Sequence, residues 1–217
     1  MKLFFSLLIF LPILLFSADS SEIEFLGFSS DGKYVGILEF GTYDGSGFPW
    51  ASVSFIDVKK NDFVGKEIKV VLESTDEKST EELAKKQALS SAEKEREKRK
   101  IPSFAMNGVA SSSGNSISIS GKVHNVSAST KAVKLLNPKC PDPYVPELLK
   151  LSVMEGGKTV LVLQDDKKIP TSRGCAYGYR LDKSFSSGKG IVVLVQFSRP
   201  GFEGPDARYL VITGMIP

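Results

Sequence analysis

The chain has few of the side chains that most often carry catalysis or bind metals. It contains one histidine, two cysteines and one tryptophan. Neither Cys140 nor Cys175 belongs to a Cys-x-x-Cys pair, so the usual ligand set of a structural zinc site is missing and we expect no metal or other cofactor. A Ser/His/Asp triad would have to use His124, and a lone histidine is more often a surface or structural residue. Gly-x-Ser-x-Gly elbows and phosphate-binding loops are also absent from the sequence.

An excess of charge of one sign is missing as well. The chain has 28 lysines and arginines against 25 aspartates and glutamates, a formal net charge of +3. A balance so close to neutral gives no electrostatic case for binding nucleic acid, and no nucleic-acid-binding motif occurs. We therefore expect no nucleic-acid partner.

The longest apolar run covers residues 3–16 and follows a single lysine, Lys2. A membrane-spanning helix needs roughly 20 apolar residues, so this run is better suited to the core of a secretory signal. Small polar residues follow it, and we predict a signal peptide over residues 1–18 with cleavage after Ala18 or after Ser20. The protein is thus expected to be secreted or periplasmic, with no membrane span in the mature chain.

Export also decides how the two cysteines are interpreted. Cys140 and Cys175 would reach an oxidising compartment, where the simplest interpretation of two cysteines is one disulfide. A metal site is the rival interpretation, and it lacks further ligands.

Strand patterns dominate the rest of the chain. Strict alternation of polar and apolar residues predicts half-buried strands at residues 52–55, 67–72 and 116–120. Continuous apolar, β-branched runs at residues 159–163 and 191–197 predict strands that are covered on both faces. A last strand is predicted at residues 209–212.

One segment has a helical pattern instead. Ser79 and Glu82 form a capping box, and no glycine or proline follows until Pro102, so we predict a helix over about residues 80–100. Beyond Ala92 the helix is almost entirely charged, which is typical of a solvated surface, although a docking arm is the alternative.

These patterns predict a mainly β fold of sandwich-like antiparallel sheets with one peripheral charged helix. Residues 19–217 are expected to form a single mainly-β secreted domain. A subdivision near residues 76–102 is the alternative.

Two turn clusters are the candidate ligand-binding surfaces. The first contains Tyr43, Asp44, Phe48 and Trp50, which place aromatic rings beside an Asp-Gly-Ser-Gly turn. Such rings could stack on a sugar or hold a peptide. Alternatively, Phe48 and Trp50 close the end of the core while Asp44 fixes the turn.

The second cluster contains Glu203, Asp206 and Arg208, shortly before the last strand. Two neighbouring carboxylates could act as an acid–base pair or hold a cation. Alternatively, an ion pair between Arg208 and either carboxylate fixes the turn.

The same segments resemble a known family. A signal peptide is followed by Phe-Ser-x-Asp-Gly-Lys-Tyr at residues 28–34, Tyr-Asp-Gly-Ser-Gly-Phe-Pro at residues 43–49, a charged helix and Arg-Pro-Gly-Phe-Glu-Gly-Pro-Asp-x-Arg at residues 199–208. This combination is similar to the bacterial predicted secreted proteins grouped as domain of unknown function 2259, over about residues 23–212. The resemblance implies export and a bacterial envelope origin, and no activity.

The leading functional hypothesis is a secreted or periplasmic module that binds an unidentified envelope or extracellular component without catalysing a reaction, so no residue is predicted to be catalytic. The alternative is a carboxylate-dependent hydrolase acting on an envelope or extracellular substrate, using Asp44, Glu203 or Asp206. Attachment through an exposed strand edge is a third possibility.

Overall fold

The computed structural model of the protein describes residues 21–74, 76–102, 110–113, 115–134, 140–201 and 204–217. The predicted signal peptide and both of its cleavage positions lie outside these residues. Within them, the regular structure consists of antiparallel sheets and one α-helix, which confirms the predicted mainly β class.

Sheet 1 contains the first five strands, which are β1 (Ser21–Phe28), β2 (Tyr34–Thr42), β3 (Pro49–Asp57), β4 (Asp62–Phe63) and β5 (Ile68–Val71). Strand β3 lies inside the sheet, paired with β2 on one side and with β4 and β5 on the other. The strand and the alternation predicted at residues 52–55 are confirmed, with Val53 and Phe55 buried against the helix and Ser52 and Ser54 on the opposite side. The prediction that this strand is half-buried is wrong, because its serine side faces sheet 3 and Ser52 is only 3 % exposed.

The helix α1 (Glu81–Lys98) packs on this sheet through alanines spaced four residues apart, Ala84, Ala88 and Ala92. Their small side chains allow the helix to lie close to the sheet. The helix begins one residue later than the capping box predicts. Thr80 is the N-cap, and its hydroxyl accepts a hydrogen bond from Leu83 N at 3.2 Å.

Sheet 2 is a meander of four strands, β7 (Ser116–Ile119), β8 (Lys122–Ala132), β9 (Glu147–Glu155) and β10 (Lys158–Asp165). Sheet 3 contains the short β6 (Ala110–Ser112) and three long strands, β11 (Tyr177–Ser187), β12 (Gly190–Pro200) and β13 (Pro205–Met215).

The helix and the three sheets form four stacked layers, in the order helix α1, sheet 1, sheet 3 and sheet 2. Alternate residues of β12 show this best. Val192 and Leu194 pack against sheet 1, whereas Ile191, Val193 and Val195 pack against sheet 2. All five are at 0 % exposure, so the prediction of a strand covered on both faces is confirmed for residues 191–197.

The same prediction is wrong for residues 159–163. They belong to β10, which pairs only with β9 at the edge of sheet 2, and Val162 is 47 % exposed. The apolar run is alike in the two segments, but only β12 has a layer on each side.

The charged end of α1 also differs from its prediction. Arg96 and Arg99 lie beyond Ala92 and are mostly buried, with 11 % and 9 % of their side chains exposed. Arg96 donates a hydrogen bond to Ile101 O at 2.5 Å, and the Arg99 guanidinium stacks on the ring of Phe55. Long arginine stems thus cover apolar surface where the sequence shows only charge.

The cysteine prediction is confirmed. Cys140 and Cys175 form a disulfide with a Cα–Cα distance of 5.8 Å. It links the segment before β9 to the segment before β11.

Candidate functional site

Sheets 1 and 3 are joined at one end of their interface. Phe28, Val58 and Val192 belong to the shared core there, and two side chains add hydrogen bonds between the sheets. The Asn61 carboxamide oxygen accepts from Thr213 N at 2.8 Å, and the Thr213 hydroxyl donates to Val58 O at 3.0 Å.

Further along the interface, polar residues replace the apolar ones and a cleft of about 490 Å³ lies between the sheets. Its lining is mixed. The apolar part includes Ile23, Ile37, Phe63, Val64, Phe197, Leu210 and Val211. The polar part includes Glu39, Ser52, Ser54, Lys66, Glu67, Ser172, Arg173, Arg199, Arg208 and Tyr209.

Strand pairing places the polar floor of the cleft on sheet 1. Glu39 of β2 lies between Ile23 of β1 and Ser52 of β3, and Ser52 is in turn paired with Lys69 of β5. Ile37 and Glu39 are two residues apart on β2, so both side chains point away from α1 and towards sheet 3. Glu39 thus places a carboxylate on the face of β2 whose preceding residues, Val35 and Ile37, are apolar and pack against sheet 3.

Glu39 is half-buried and unusually placed for a carboxylate. Burial raises the pKa of Glu39, and the nearby Ser21 hydroxyl and the Arg208 and Lys69 charges only partly oppose this effect. The Ser21 hydroxyl itself is buried without a partner in hydrogen-bond geometry among the described residues. No cation of the described residues lies within ion-pair distance of Glu39.

Three arginines that line the cleft are held in place by aspartates. The Asp206 carboxylate accepts from Arg199 Nε and from Arg208 Nη2, both at 3.3 Å. Asp166, in the connection after β10, accepts from Arg173 Nη2 at 2.5 Å. By alternation along β12 and β13, Arg199 and Arg208 share the face of Val195 and Ile212, which packs against sheet 2. The lining of the cleft therefore includes residues from both faces of β13, with Tyr209 and Val211 on the face towards sheet 1.

Helix α1 positions the rim of the cleft. Arg99 donates from Nη2 to Val64 O at 3.0 Å, and Gly65 passes so close that a Cβ there would lie 2.8 Å from the same nitrogen. Next to this contact, Phe63 is 65 % exposed, which is unusual for an aromatic side chain.

The structure brings only part of the predicted site to this cleft. Arg208 lines it, and Asp206 orients Arg208 without being part of the lining. Glu203 lies outside the described residues. The hydrogen bond between Asp206 and Arg208 has the geometry of the ion pair that was the alternative for this turn.

The aromatic turn lies beside the cleft and not in its lining. Trp50 is 6 % exposed, and the Tyr43 ring stacks on it with ring centroids 5.7 Å apart. The Lys69 ammonium lies 4.8 Å from the Trp50 ring centroid. Asp44 and Phe48 are half-buried in the turn between β2 and β3.

Glu39, Arg173 and Arg199 are among the polar residues of the cleft that were not predicted. Glu39 carries a readable signal, because it is the only charged residue in the otherwise apolar segment 35–40 and shares the spacing of the inward-facing Val35 and Ile37. Arg173 carries none, because its position depends on contacts between distant segments.

Comparison with known families gives one match. The model of a family described as predicted secreted protein, DUF2259, matches residues 37–215. The chain belongs to this family. The DUF2259 match begins within β2, so it leaves out β1 and includes the rest of sheet 1, helix α1 and sheets 2 and 3. The family description agrees with the secreted localisation that the sequence predicts.

No curated protein and no solved structure matches this DUF2259 chain. Among the described residues, no helix is both long and apolar enough to span a membrane. The same residues contain no group of three or more histidine, cysteine or acidic side chains placed to hold a metal ion.

Proposed function

We propose that the protein is a secreted binding module that does not catalyse a reaction, and that its ligand, an envelope or extracellular component, occupies the cleft between sheets 1 and 3. The volume of about 490 Å³ is in the range of small-molecule sites. The lining also has the usual composition of such sites, an apolar surface with a few convergent polar groups.

The observation that carries this proposal is the position of Glu39. Burying part of the Glu39 carboxylate without a cation at ion-pair distance costs free energy, and the Ser21 hydroxyl and the Arg208 and Lys69 charges offset this cost only in part. Groups with a pKa shifted in this way are concentrated at functional sites. A ligand that bonds to Glu39 would supply the missing partner.

A carboxylate-dependent hydrolase is the second candidate, supported by the presence of Glu39 and Glu67 in the same cleft. A raised pKa suits a general acid. The carboxylates first considered for this role fit less well, because Asp206 is bonded to two arginines and Asp44 does not line the cleft.

The proposal is tested by filling the cleft. The fluorescent amphipathic anion 1-anilinonaphthalene-8-sulfonate serves as the probe, and we expect saturable binding that the Ser54→Phe substitution weakens at least tenfold. Ser54 lines the cleft, whereas Ser127 is exposed on β8. Ser127→Phe is therefore the matched control and should bind like the wild type.

Amide chemical shifts locate the probe independently of the substitutions. Shifts confined to residues around Glu39, Ser54 and Arg208 would support the proposal. Equal binding by the wild type and Ser54→Phe, or shifts on another surface, would refute it. If Ser54→Phe does not fold, as judged from the near-ultraviolet signal of Trp50, Ser52→Phe replaces it.

A further inference from the structure

Strand β13 is the terminal strand of sheet 3 and pairs only with β12 among the described residues, in a register without shifts. The cleft is lined by four consecutive residues of this strand, 208–211. Tyr209 and Val211 pack towards sheet 1, whereas Leu210 packs towards sheet 2. Because the cleft touches both faces of a terminal strand, it runs along the free edge of that strand.

The register shows which backbone groups of β13 are directed to this edge. Ile216 N donates to Lys189 O at 2.9 Å, and bonded pairs alternate along an antiparallel ladder. The even-numbered residues of β13 therefore bond to β12, and the odd-numbered residues direct their N–H and C=O groups away from it. The bond from Thr213 N to the Asn61 side chain, at 2.8 Å, agrees with this assignment.

Both ends of this edge are closed, and its middle is open. At one end the Thr213 N–H is already bonded to a side chain. At the other end Pro205 has no N–H to offer. Between them, Tyr209 and Val211 form no edge hydrogen bond through their backbone groups with any described residue. The open stretch is therefore residues 207–211.

The space beside the open edge has a wall on each face of sheet 3. On the sheet 1 side the lining includes Glu39, Ser54 and the exposed ring of Phe63. On the sheet 2 side it includes Arg173, which is bonded to Asp166 in the connection after β10. An extended chain in this space would direct alternate side chains towards the two walls.

Resting on the proposed function, we propose that the ligand is an extended peptide segment of another protein, which adds a strand to sheet 3 along residues 207–211 of β13. N–H and C=O groups that recur on every second residue are complemented by the backbone of another strand. A sugar or an acyl chain does not present donors and acceptors at this repeat. In recognition of this kind, main-chain hydrogen bonds give affinity and the neighbouring pockets select side chains.

The test is calorimetric titration of the secreted protein with synthetic strands. The open-edge peptide is acetyl-Lys-Val-Thr-Val-Thr-Val-Lys-amide with N-methyl groups on both threonines, so that only one edge can bond. The closed-edge peptide carries N-methyl groups on the three valines as well and keeps the same side chains. We expect it to bind about tenfold more weakly or not at all, because the donors to the Tyr209 and Val211 carbonyls are lost. A second pair, with glutamate in place of both lysines, covers the opposite charge.

Amide hydrogen exchange locates the added strand without any substitution. Exchange at Tyr209 and Val211 should slow about tenfold or more in the complex, whereas the Leu210 amide, which is directed to β12, should be unchanged. Ser54→Phe narrows the space on the sheet 1 side and should weaken binding of the open-edge peptide. Ser127→Phe, on the exposed side of β8, is again the matched control and should bind like the wild type.

The outcomes separate the two proposals. Equal affinity for open-edge and closed-edge peptides, or unchanged exchange at Tyr209 and Val211 in the complex, would overturn strand addition. Failure of all four peptides, with fluorescent-probe binding still sensitive to Ser54→Phe, would overturn strand addition and leave the binding module supported. Failure of the fluorescent probe as well would overturn both. The peptide series and the exchange pattern of the wild type remain decisive even if Ser54→Phe does not fold.

Discussion

Glu39 is a charged side chain on a strand whose neighbouring inward-facing residues, Val35 and Ile37, are almost fully buried. Burial raises the pKa of Glu39, which means that folding favours its protonated form. Glu67 on the neighbouring segment acts in the same direction, whereas Arg208 and Lys69 oppose it. Ionisation of Glu39 is therefore expected to be less favourable in the folded protein than in the unfolded chain.

This effect predicts the pH dependence of a Glu39→Gln variant. The destabilisation is absent below the ordinary glutamate pKa, at which the side chain is protonated in both the folded and unfolded states. It grows as pH rises through the raised folded pKa. We therefore expect Glu39→Gln to be more stable than the wild type at pH 7, by a difference that shrinks towards pH 4.

Urea denaturation at several pH values measures this difference. Glu97→Gln, at an exposed helical position, is the control and should change the free energy of unfolding by less than about 0.5 kcal/mol. A Glu39→Gln variant that is less stable than the wild type at pH 7 would mean that ionised Glu39 has a structural partner in solution.

Residue by residue, the sequence predicted the site only in part. Arg208 was predicted because it belongs to a dense group of charges beside glycine and proline. Glu39 was missed, although its spacing with Ile37 shows that it faces the interface. The remaining predicted site residues stay predictions, and those of the aromatic turn lie outside the cleft lining.

At the scale of elements, the Arg99 side chain couples the end of helix α1 to the cleft rim. Arg99 donates hydrogen bonds to Glu95 O at 3.0 Å and to Val64 O at 3.0 Å, and pairs with the Glu95 carboxylate. Its guanidinium also lies on the Phe55 ring. The helix terminus thereby holds the connection that leads from β4 to β5.

Arg99→Ala is expected to destabilise the protein by about 2–3 kcal/mol, because Val64 O loses a charged donor and the mostly buried Arg99 side chain no longer covers the Phe55 ring. Amide hydrogen exchange should increase at residues 63–67. Lys98→Ala is the matched control, since the Lys98 side chain is 73 % exposed, and it should behave like the wild type. Unchanged exchange at the rim in Arg99→Ala would show that the connection is held by other contacts.

Element type was more predictable than element position. Alternation identified three strands of the described structure, and capping and composition identified the helix. Residues 159–163 and 191–197 have equivalent patterns, yet one lies at an edge and the other in the middle of the stack. Whether a strand lies at an edge or inside the stack depends on its contacts with segments distant in sequence. A local pattern of apolar residues carries no information on those contacts.

At the scale of the whole molecule, the Cys140–Cys175 disulfide closes a segment of 35 residues that contains β9, β10 and the connection carrying Arg173. Within this segment the Asp166 carboxylate accepts from Leu149 N at 2.9 Å and from Arg173. The disulfide thus constrains the part of the chain that brings a third arginine to the cleft. That residues 19–217 form one domain stays a prediction.

Replacing both cysteines, Cys140→Ser with Cys175→Ser, is expected to lower the free energy of unfolding by about 4 kcal/mol. The chain-entropy model gives this value for a closed loop of 35 residues. Urea denaturation measures it, and the reduced and alkylated wild-type protein provides a second reference for the open loop. A loss below about 1 kcal/mol would indicate that the unfolded chain already keeps residues 140–175 compact.

The position of β12 in the middle of the stack also has a consequence for biosynthesis. Residues 191–195 form an uncharged, β-branched run without proline, a composition that favours aggregation when it is exposed. The chain emerges from the ribosome N-terminus first, so the strands of both covering sheets, residues 21–71 and 116–165, precede this run. This aggregation-prone strand is therefore synthesised after the strands of both sheets that will cover it, and only β13 follows it.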